Sequence, residues 1–518
     1  MNLDLKNDYS KYLLLIAIIF LLRIFILAIY PFHHPSEARY AAISMRMALT
    51  ENYLMPFYDV ATPFFGKPPL AFWASAISFK IFGFSEFSGR LPHLLALMAS
   101  CFLVWRLFAK DFDKKLGKKN GTIAVLILVS CALFYALNSV MTEAFLLLGM
   151  TLITTSFWLQ IQSKKPKNFD GYLFFLGCLI AMLSKGPAGI IMPCLPIFIY
   201  LVISKRWREL FQKFPIFTGS VAFLAFTLPW FLLAEAKYPG FLEYFFIGEN
   251  FNRFTKPGWV GDKYGHAHKV AFGTIWPFFF CSILPTSLVA IFKFKKIWQS
   301  TLIFFKDKNN STQTQDDQFA NGSQFNQIKS GLSLIECNHK FLFFLISLLT
   351  PLIFLTFMRN MIGTYGVYAL VPFSVISAMI IAQRNWQKFV RFLGYFSIAT
   401  SLLLIGIFLL KPASLIQKLN YHAYLLSHLP KEASQDKDLK LYYLGDSYAN
   451  FTINWLAKDR TQNLNKENFL EISNSLPEKK YAIGALFDVL QLPLEYREKM
   501  HKIVCIKKRE TCLYELNS

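Results

Sequence analysis

Long uncharged apolar runs alternate along this chain with short basic breaks. Phe214 to Leu233 and Phe341 to Met358 contain no charged residue, over the roughly 17–25 residues that a helix needs to cross a bilayer. Window length and flanking polarity predict about eleven spans, near 12–30, 90–108, 121–138, 143–161, 171–184, 187–203, 214–234, 274–292, 341–358, 365–382 and 392–410. The first is too long for the apolar region of a signal peptide, is interrupted by Arg23 and lacks a small-residue cleavage site, so it reads as an uncleaved anchor. Residues 36–50 and 68–83 are apolar but short or charge-broken. They are expected as interfacial helices on the outer surface.

Composition agrees, with 54% hydrophobic residues, 55 Phe among 518 residues and only 17% charged, a balance that excludes an ordinary soluble enzyme. The net charge of +22 would suggest nucleic acid in a soluble chain; here the positive-inside rule and anionic headgroups account for it, and no nucleic-acid partner is expected. The basic breaks, Lys110 to Lys119, Lys164 to Lys167, Lys205 to Arg208, Lys293 to Lys296 and Arg384 to Arg391, fall on alternate loops. That side and the N-terminus are expected in the cytoplasm. The other side receives 31–89, 235–273 and the chain after about 411. The expected organisation is therefore a transmembrane domain over 1–410 and an outer domain over 411–518. The Asn/Gln-rich stretch 297–340 is expected to be a disordered cytoplasmic insertion.

The tail reads as a small α/β domain, with strand-like runs at Leu439–Leu444, Tyr481–Leu486 and around Ile503 and Cys512, and a turn at Gly445-Asp446-Ser447. Five of eight cysteines lie in spans and Cys337 just before one. Cys505 and Cys512 sit close together in a segment that topology puts in an oxidising compartment, where they could form a hairpin disulfide.

Candidate chemistry gathers at the outer ends of the spans. In Ser36-Glu37-Ala38-Arg39-Tyr40, a carboxylate and a cation follow the first span, although Pro35, Ser36 and Glu37 are equally good helix-start residues. Lys67 follows in Phe65-Gly66-Lys67-Pro68-Pro69. Glu143, at the outer end of an apolar span, is a functional candidate by default, or else a helix-start carboxylate. Lys185 occupies the break Ser184-Lys185-Gly186-Pro187, which can face a cavity or form a tight hairpin. The loop 241–265 combines aromatics with Glu249, Asn250 and Arg253, suiting a lipid-linked ligand or an anchoring belt. Arg359, in a short outer loop before Tyr365, suits a phosphate or headgroup snorkelling. No Walker loop, dinucleotide turn or His/Cys metal cluster appears, and adjacent His33 and His34 cannot easily converge on one ion. No cofactor and no metal are expected.

The order SEARYAAISMRM, FFGKPP, VMTEAFLLL, LSKGPAG, YFFIGENFNRF and RNMIGTY resembles the bacterial polyprenyl-phosphate-sugar-dependent transferases of the GT-C fold. Within them it is most similar to the aminoarabinose transferases that modify lipid A, with protein O-mannosyltransferases as relatives. The resemblance runs over about residues 12–385. It implies a multi-pass protein of the bacterial inner membrane whose C-terminal domain is periplasmic. It further implies that Arg39, Lys67, Arg253 and Tyr365 hold the donor phosphate, joined by Arg359. Glu143 would take the family's acidic position, with Lys185 and Glu249 beside the cavity. The chain departs from the pattern at Ser36, where relatives carry Asp, at Gly66, where lipid A enzymes carry Glu, and at Met361, a cationic position in the family.

The implied reaction is a single displacement with inversion at the anomeric carbon by an acceptor hydroxyl or phosphate; Glu37 or Glu143 assists a hydroxyl, a phosphate as on lipid A needs no strong base, and the cations stabilise the leaving phosphate. The implied partners are a polyprenyl-phosphate-linked sugar, membrane lipids and an acceptor, with lipid A or another glycolipid favoured and a protein the alternative. An oligosaccharyltransferase or polymerase of the same architecture would move a chain of sugars. A transporter of lipid-linked saccharides would call for inverted repeats and ionisable groups at mid-membrane, whereas here they crowd one face.

Overall fold

The computed structural model describes residues 2–32, 35–59, 62–111, 114–164, 168–256, 258–264, 268–288, 324–382, 386–410, 425–430, 441–444, 452, 455–456, 461–464, 480–485, 489–506 and 511–516. His33, His34, Arg384, the Gly445-Asp446-Ser447 turn and most of the polar stretch lie outside these residues.

Eight described helices are long and apolar enough to cross a membrane: Tyr9–Ile29, Glu86–Asp111, Glu143–Gln162, Pro187–Ser204, Ile216–Lys237, His339–Thr356, Gly363–Ile381 and Gln387–Leu410. The other expected spans correspond to shorter elements. Lys114–Ser130 and Phe169–Lys185 are 17-residue helices. Ile275–Ser282 is only eight residues long, because Pro285 follows and the residue before a proline is driven out of the helical region. The polar stretch also differs from expectation, since its last part is helical: Gln324–Thr356 runs as one helix into the span. Contiguous apolar residues from Phe341 onward give that helix a stable end from which to propagate backwards.

Contacts divide the chain into two units. The first comprises Met1–Arg23, Phe64–Ala71 and His93–Leu402. Its tightest element pair is Glu143–Gln162 against Phe169–Lys185, where glycines let the backbones touch. A Cβ on Gly149 would stand 2.7 Å from Ala181 N, and one on Gly177 would stand 2.8 Å from Gly149 O. Within a membrane such small-residue contacts replace the hydrophobic drive available in water. The same unit explains the charge in the first helix. The expected span 121–138 breaks at Cys131 between Lys114–Ser130 and Ala132–Ala136, and Arg23, 2% exposed, fills the break. Its guanidinium donates to Val129 O at 2.7 Å and Phe134 O at 3.2 Å and lies 4.0 Å from the Tyr135 ring centroid. Carbonyls freed by a helix break must find donors in the membrane, and Arg23 supplies them.

The second unit comprises Ile24–Pro63, Phe72–Pro92 and Leu403–Ser518. Pro35–Thr50 and Leu70–Phe82 are helical as expected, and at 16 and 13 residues they are too short to span. Ala38 and residues 40–48 are all buried, so the first of these helices is enclosed by protein rather than lying against lipid. The C-terminal part forms a five-stranded mixed sheet of order β2-β1-β3-β5-β4, with β1 Leu441–Leu444, β2 Thr461–Asn463, β3 Lys480–Ala485, β4 Met500–Ile506 and β5 Thr511–Leu516. β1 is parallel to β2 and β3, and β5 is antiparallel to β3 and β4. Alternation divides the core between the two faces, Tyr442, Ala482, Tyr514 and Leu516 on one and Leu441, Tyr481, Ile483 and Leu513 on the other. β2 was not expected, since three polar residues carry no periodic signal. Cys505 and Cys512 face each other across β4 and β5 and form the disulfide, with Cα atoms 4.1 Å apart.

Candidate functional site

The Gly149–Gly177 contact fixes two antiparallel helices such that the start of one and the end of the other reach the same level. Glu143 opens the first and Lys185 closes the second. Lys185 Nζ donates to Glu143 Oε1 at 2.6 Å, and Thr142 Oγ1 lies 3.3 Å from Oε2. The carboxylate, 3% exposed, also benefits from the free N–H groups of its own helix start. Gly186 makes the turn. Its φ is +76°, and a Cβ there would come within 2.6 Å of Phe245, so both backbone conformation and space require glycine. Lys185 Nζ also stands 5.7 Å from the Tyr365 ring centroid.

Phe245 belongs to the segment that carries the second ion cluster. Glu243–Asn252 winds as a π-helix, a rare geometry that often marks functional sites. Glu249 lies in it, 5% exposed, and Arg253 follows at its end. One oxygen of Glu249 accepts from both Lys67 Nζ and Arg253 Nη1, the latter at 2.5 Å. Arg253 Nη2 reaches Asp262 at 3.3 Å. The Phe64–Pro69 turn that presents Lys67 is pinned by Phe65 N donating to Tyr264 Oη at 2.9 Å. Asn360 ties the late loop to this cluster, donating from Nδ2 to Arg253 O at 2.9 Å and accepting from His268 N at 2.9 Å. Phe254 stacks on Tyr365, centroids 6.1 Å apart.

Electrostatics joins these contacts into one network. Burial pulls the Lys67 ammonium down to about 8; Glu249 opposes this, while Arg253 and Lys185 add repulsion. Arg253 is held above its ordinary range, because Glu249 and Asp262 together outweigh the cost of burial. Lys67 is charged below about pH 8 and loses its proton as pH rises through that value, whereas an arginine would stay charged. An anion resting on this cluster should therefore be held less tightly as pH rises through about 8, and equally well across that pH in Lys67→Arg, as titration with inorganic phosphate would measure.

Of the residues singled out from sequence, Lys67, Glu143, Lys185, Glu249, Arg253 and Tyr365 all fall in this network within the first unit. Glu37 and Arg39 belong to the second. Both oxygens of Glu37 accept from Arg90, at 2.7 and 2.9 Å, with the carboxylate buried. Arg39 lies two residues further along the same helix, half-buried, its guanidinium 5.4 Å from the Tyr40 ring centroid. Arg359 turns towards the 268–273 segment, 5.3 Å from the Phe272 ring centroid and 3.5 Å from Val270 O. Sequence reasoning missed Asp262, Asn360 and Arg90. The one available hint was Asp262 itself, a lone aspartate within an aromatic loop. Among the described residues no group of His, Cys, Asp or Glu could hold a metal ion.

Superposition on solved structures decides the fold. ArnT from Cupriavidus metallidurans bound to undecaprenyl phosphate matches with a TM-score of 0.70 and 15% identity, covering 98% of both chains; its apo state matches at 0.68. The chain has the GT-C fold. Residues 66–232 match the family described as dolichyl-phosphate-mannose-protein mannosyltransferase, a range holding Lys67, Glu143 and Lys185. Sequence relatives agree with the resemblance to aminoarabinose transferases. The undecaprenyl phosphate-alpha-4-amino-4-deoxy-L-arabinose arabinosyl transferase of Enterobacter sp. (strain 638) is 29% identical over 269 residues, 51% of this chain and 46% of that protein. The protein of the same description from Edwardsiella ictaluri is 27% identical over 254 residues, 48% and 44%. The chain thus spans about half the length of the curated relatives it matches. With eight long apolar helices among the described residues, this GT-C chain is an integral membrane protein.

Proposed function

We propose that the protein is a glycosyltransferase of the inner membrane that moves a sugar from a polyprenyl-phosphate donor to a lipid acceptor of the lipid A class. The observation that carries this reading is the pair of cations on one carboxylate oxygen, Lys67 and Arg253 on Glu249, beside a second buried carboxylate, Glu143, held by Lys185. Lys67 and Arg253, with the Tyr365 hydroxyl, bind the phosphate of the donor. The acceptor oxygen attacks the anomeric carbon, the bond from that carbon to the phosphate oxygen breaks, and its electron pair leaves on the phosphate, where the cations stabilise it. Glu143 orients an acceptor hydroxyl and receives its proton; a phosphate acceptor is already ionised and needs no base. Glu37, occupied by Arg90, acts as a positioning residue for the helix that carries Arg39.

The test offers purified full-length protein undecaprenyl-phosphate 4-amino-4-deoxy-L-arabinose with lipid A, and in parallel a nucleotide sugar. Transfer from the lipid donor is expected, and transfer from the nucleotide sugar alone would overturn the reading. The match of residues 66–232 to a protein mannosyltransferase family supports a second reading with a protein acceptor. Mass spectrometry of lipid A and of glycoproteins from a deletion strain separates the two.

The site and the C-terminal domain face the periplasm in this reading, a placement supported by the alternation of basic loops and by a cystine in the domain. With the other six of the eight cysteines replaced, a membrane-impermeant maleimide added to spheroplasts should label Cys505 and Cys512 only after reduction. Labelling confined to lysed membranes would reverse the orientation.

A further inference from the structure

From the C-terminal segment, Trp455 reaches the helices around the first extramembrane loop. Trp455 is 7% exposed. Its ring packs against Phe32 and Phe79 with centroids 4.6 and 5.3 Å apart, and its Nε1 donates to Glu86 Oε1 at 3.2 Å. The seat is full, since a Cβ on neighbouring Gly89 would come within 3.0 Å of both phenyl rings. From this seat the contacts lead to the Ser36–Tyr40 segment. Glu86 and Arg90 are one turn apart on the same helix. The Arg90 guanidinium lies 4.7 Å from the centroid of Phe32, the ring that Trp455 covers. It donates to the carbonyls of Leu27 at 3.3 Å, Pro31 at 3.2 Å and Tyr30, and to both oxygens of Glu37. Glu37 sits in the first turn of Pro35–Thr50, two residues before Arg39.

We infer that Trp455 is a positioning residue for this helix, through which the C-terminal domain sets the place of Arg39. That Arg39 meets the donor is what the family resemblance implies and stands or falls with the proposed function; the coupling of Trp455 to the helix does not. Removing the indole would leave a cavity beside Phe32, and packed surroundings close only partly over such a hole. Phe32 and the turn from Glu86 to Arg90 are then free to shift, and Glu37 moves with its partner.

The experiment has two arms, both on the full-length protein in detergent. In the first, hydrogen exchange is followed in Trp455→Ala. Amides of 35–50 should lose protection while those of 143–162 keep it, and Trp455→Phe, which retains a ring in the seat, should restore most of it. In the second, donor kinetics are measured for Trp455→Ala, Arg39→Ala and the double variant. Trp455→Ala should raise the donor KM about tenfold with kcat nearly unchanged, within the range of couplings between contacting groups. The double variant should be no worse than Arg39→Ala, because both changes remove the same contact. Unchanged protection at 35–50, or effects that multiply, would overturn the inference. A native protein that uses no polyprenyl-phosphate donor would refute the proposed function alone, leaving the exchange arm to decide the coupling.

Discussion

Glu143→Gln should lower turnover on a hydroxyl acceptor by at least a hundredfold while the protein accumulates normally. Loss of a general base or of a charged orienting group typically costs 10²–10⁴-fold, and glutamine keeps the volume and a hydrogen-bond acceptor for Lys185. Lys185→Ala should fail differently. It leaves the Glu143 carboxylate, buried at 3% exposure, without its ion-pair partner, a change of about 3–5 kcal/mol in comparable buried pairs. Loss of membrane abundance is therefore expected alongside loss of activity. The combination Glu143→Gln with Lys185→Met separates the two effects, since it removes both charges together. It should recover abundance, read by quantitative blot or thermal melt, and remain inactive. Full turnover by Glu143→Gln would exclude a part for Glu143 in proton transfer and favour a phosphate acceptor.

The second large effect concerns the cations. Lys67→Ala and Arg253→Ala should each reduce kcat/KM for the lipid donor roughly ten- to hundredfold, since a hydrogen bond to a charged group is worth about 1.5–3 kcal/mol. Neither single change leaves Glu249 unpaired, because the other cation still holds its oxygen. The double variant does leave it unpaired, so it should lose donor use altogether and also lose stability. Adding Glu249→Gln to the double variant should return the stability without the activity. Kinetics with the polyprenyl-phosphate sugar, paired with melting curves, check both halves. Undiminished donor use in the single variants would sink the proposed mechanism.

Sequence revealed those parts of this protein that depend on local chemistry. Apolar runs marked the long helices, the Ser-Lys-Gly-Pro break marked the turn that presents Lys185, and strand-like runs marked four of the five strands, two of them the hairpin that carries the cystine. The rest depends on partners far along the chain. Glu37 could be read as a helix-start residue or as a catalytic group, because Arg90, which binds it, lies 53 positions away. Lys67 and Glu249 are 182 residues apart, and nothing in either segment names the other. Asp262 and Asn360 gain meaning only beside Arg253. The π-helix has no sequence period distinguishable from an ordinary helix. The interruptions at Cys131 and Ser282 escaped the window count because hydropathy continues across a break in the backbone, and only the carbonyls that Arg23 bonds disclose the first of them.

The glycine contact between Glu143–Gln162 and Phe169–Lys185 makes the ion pair vulnerable from a distance. Gly149 lies six residues beyond Glu143, about 9 Å along the helix axis, among apolar side chains with no chemistry of their own. A methyl group there has no room against Ala181 N, so the helices must slide or splay to admit it, and a slide of one residue's rise would pull Glu143 and Lys185 apart by about 1.5 Å. Inactivating substitutions are thus to be sought deep in the bundle as well as among the charged residues. Conversely, any natural or designed variant that enlarges Gly149 or Gly177 must recut its neighbours to keep Glu143 and Lys185 level.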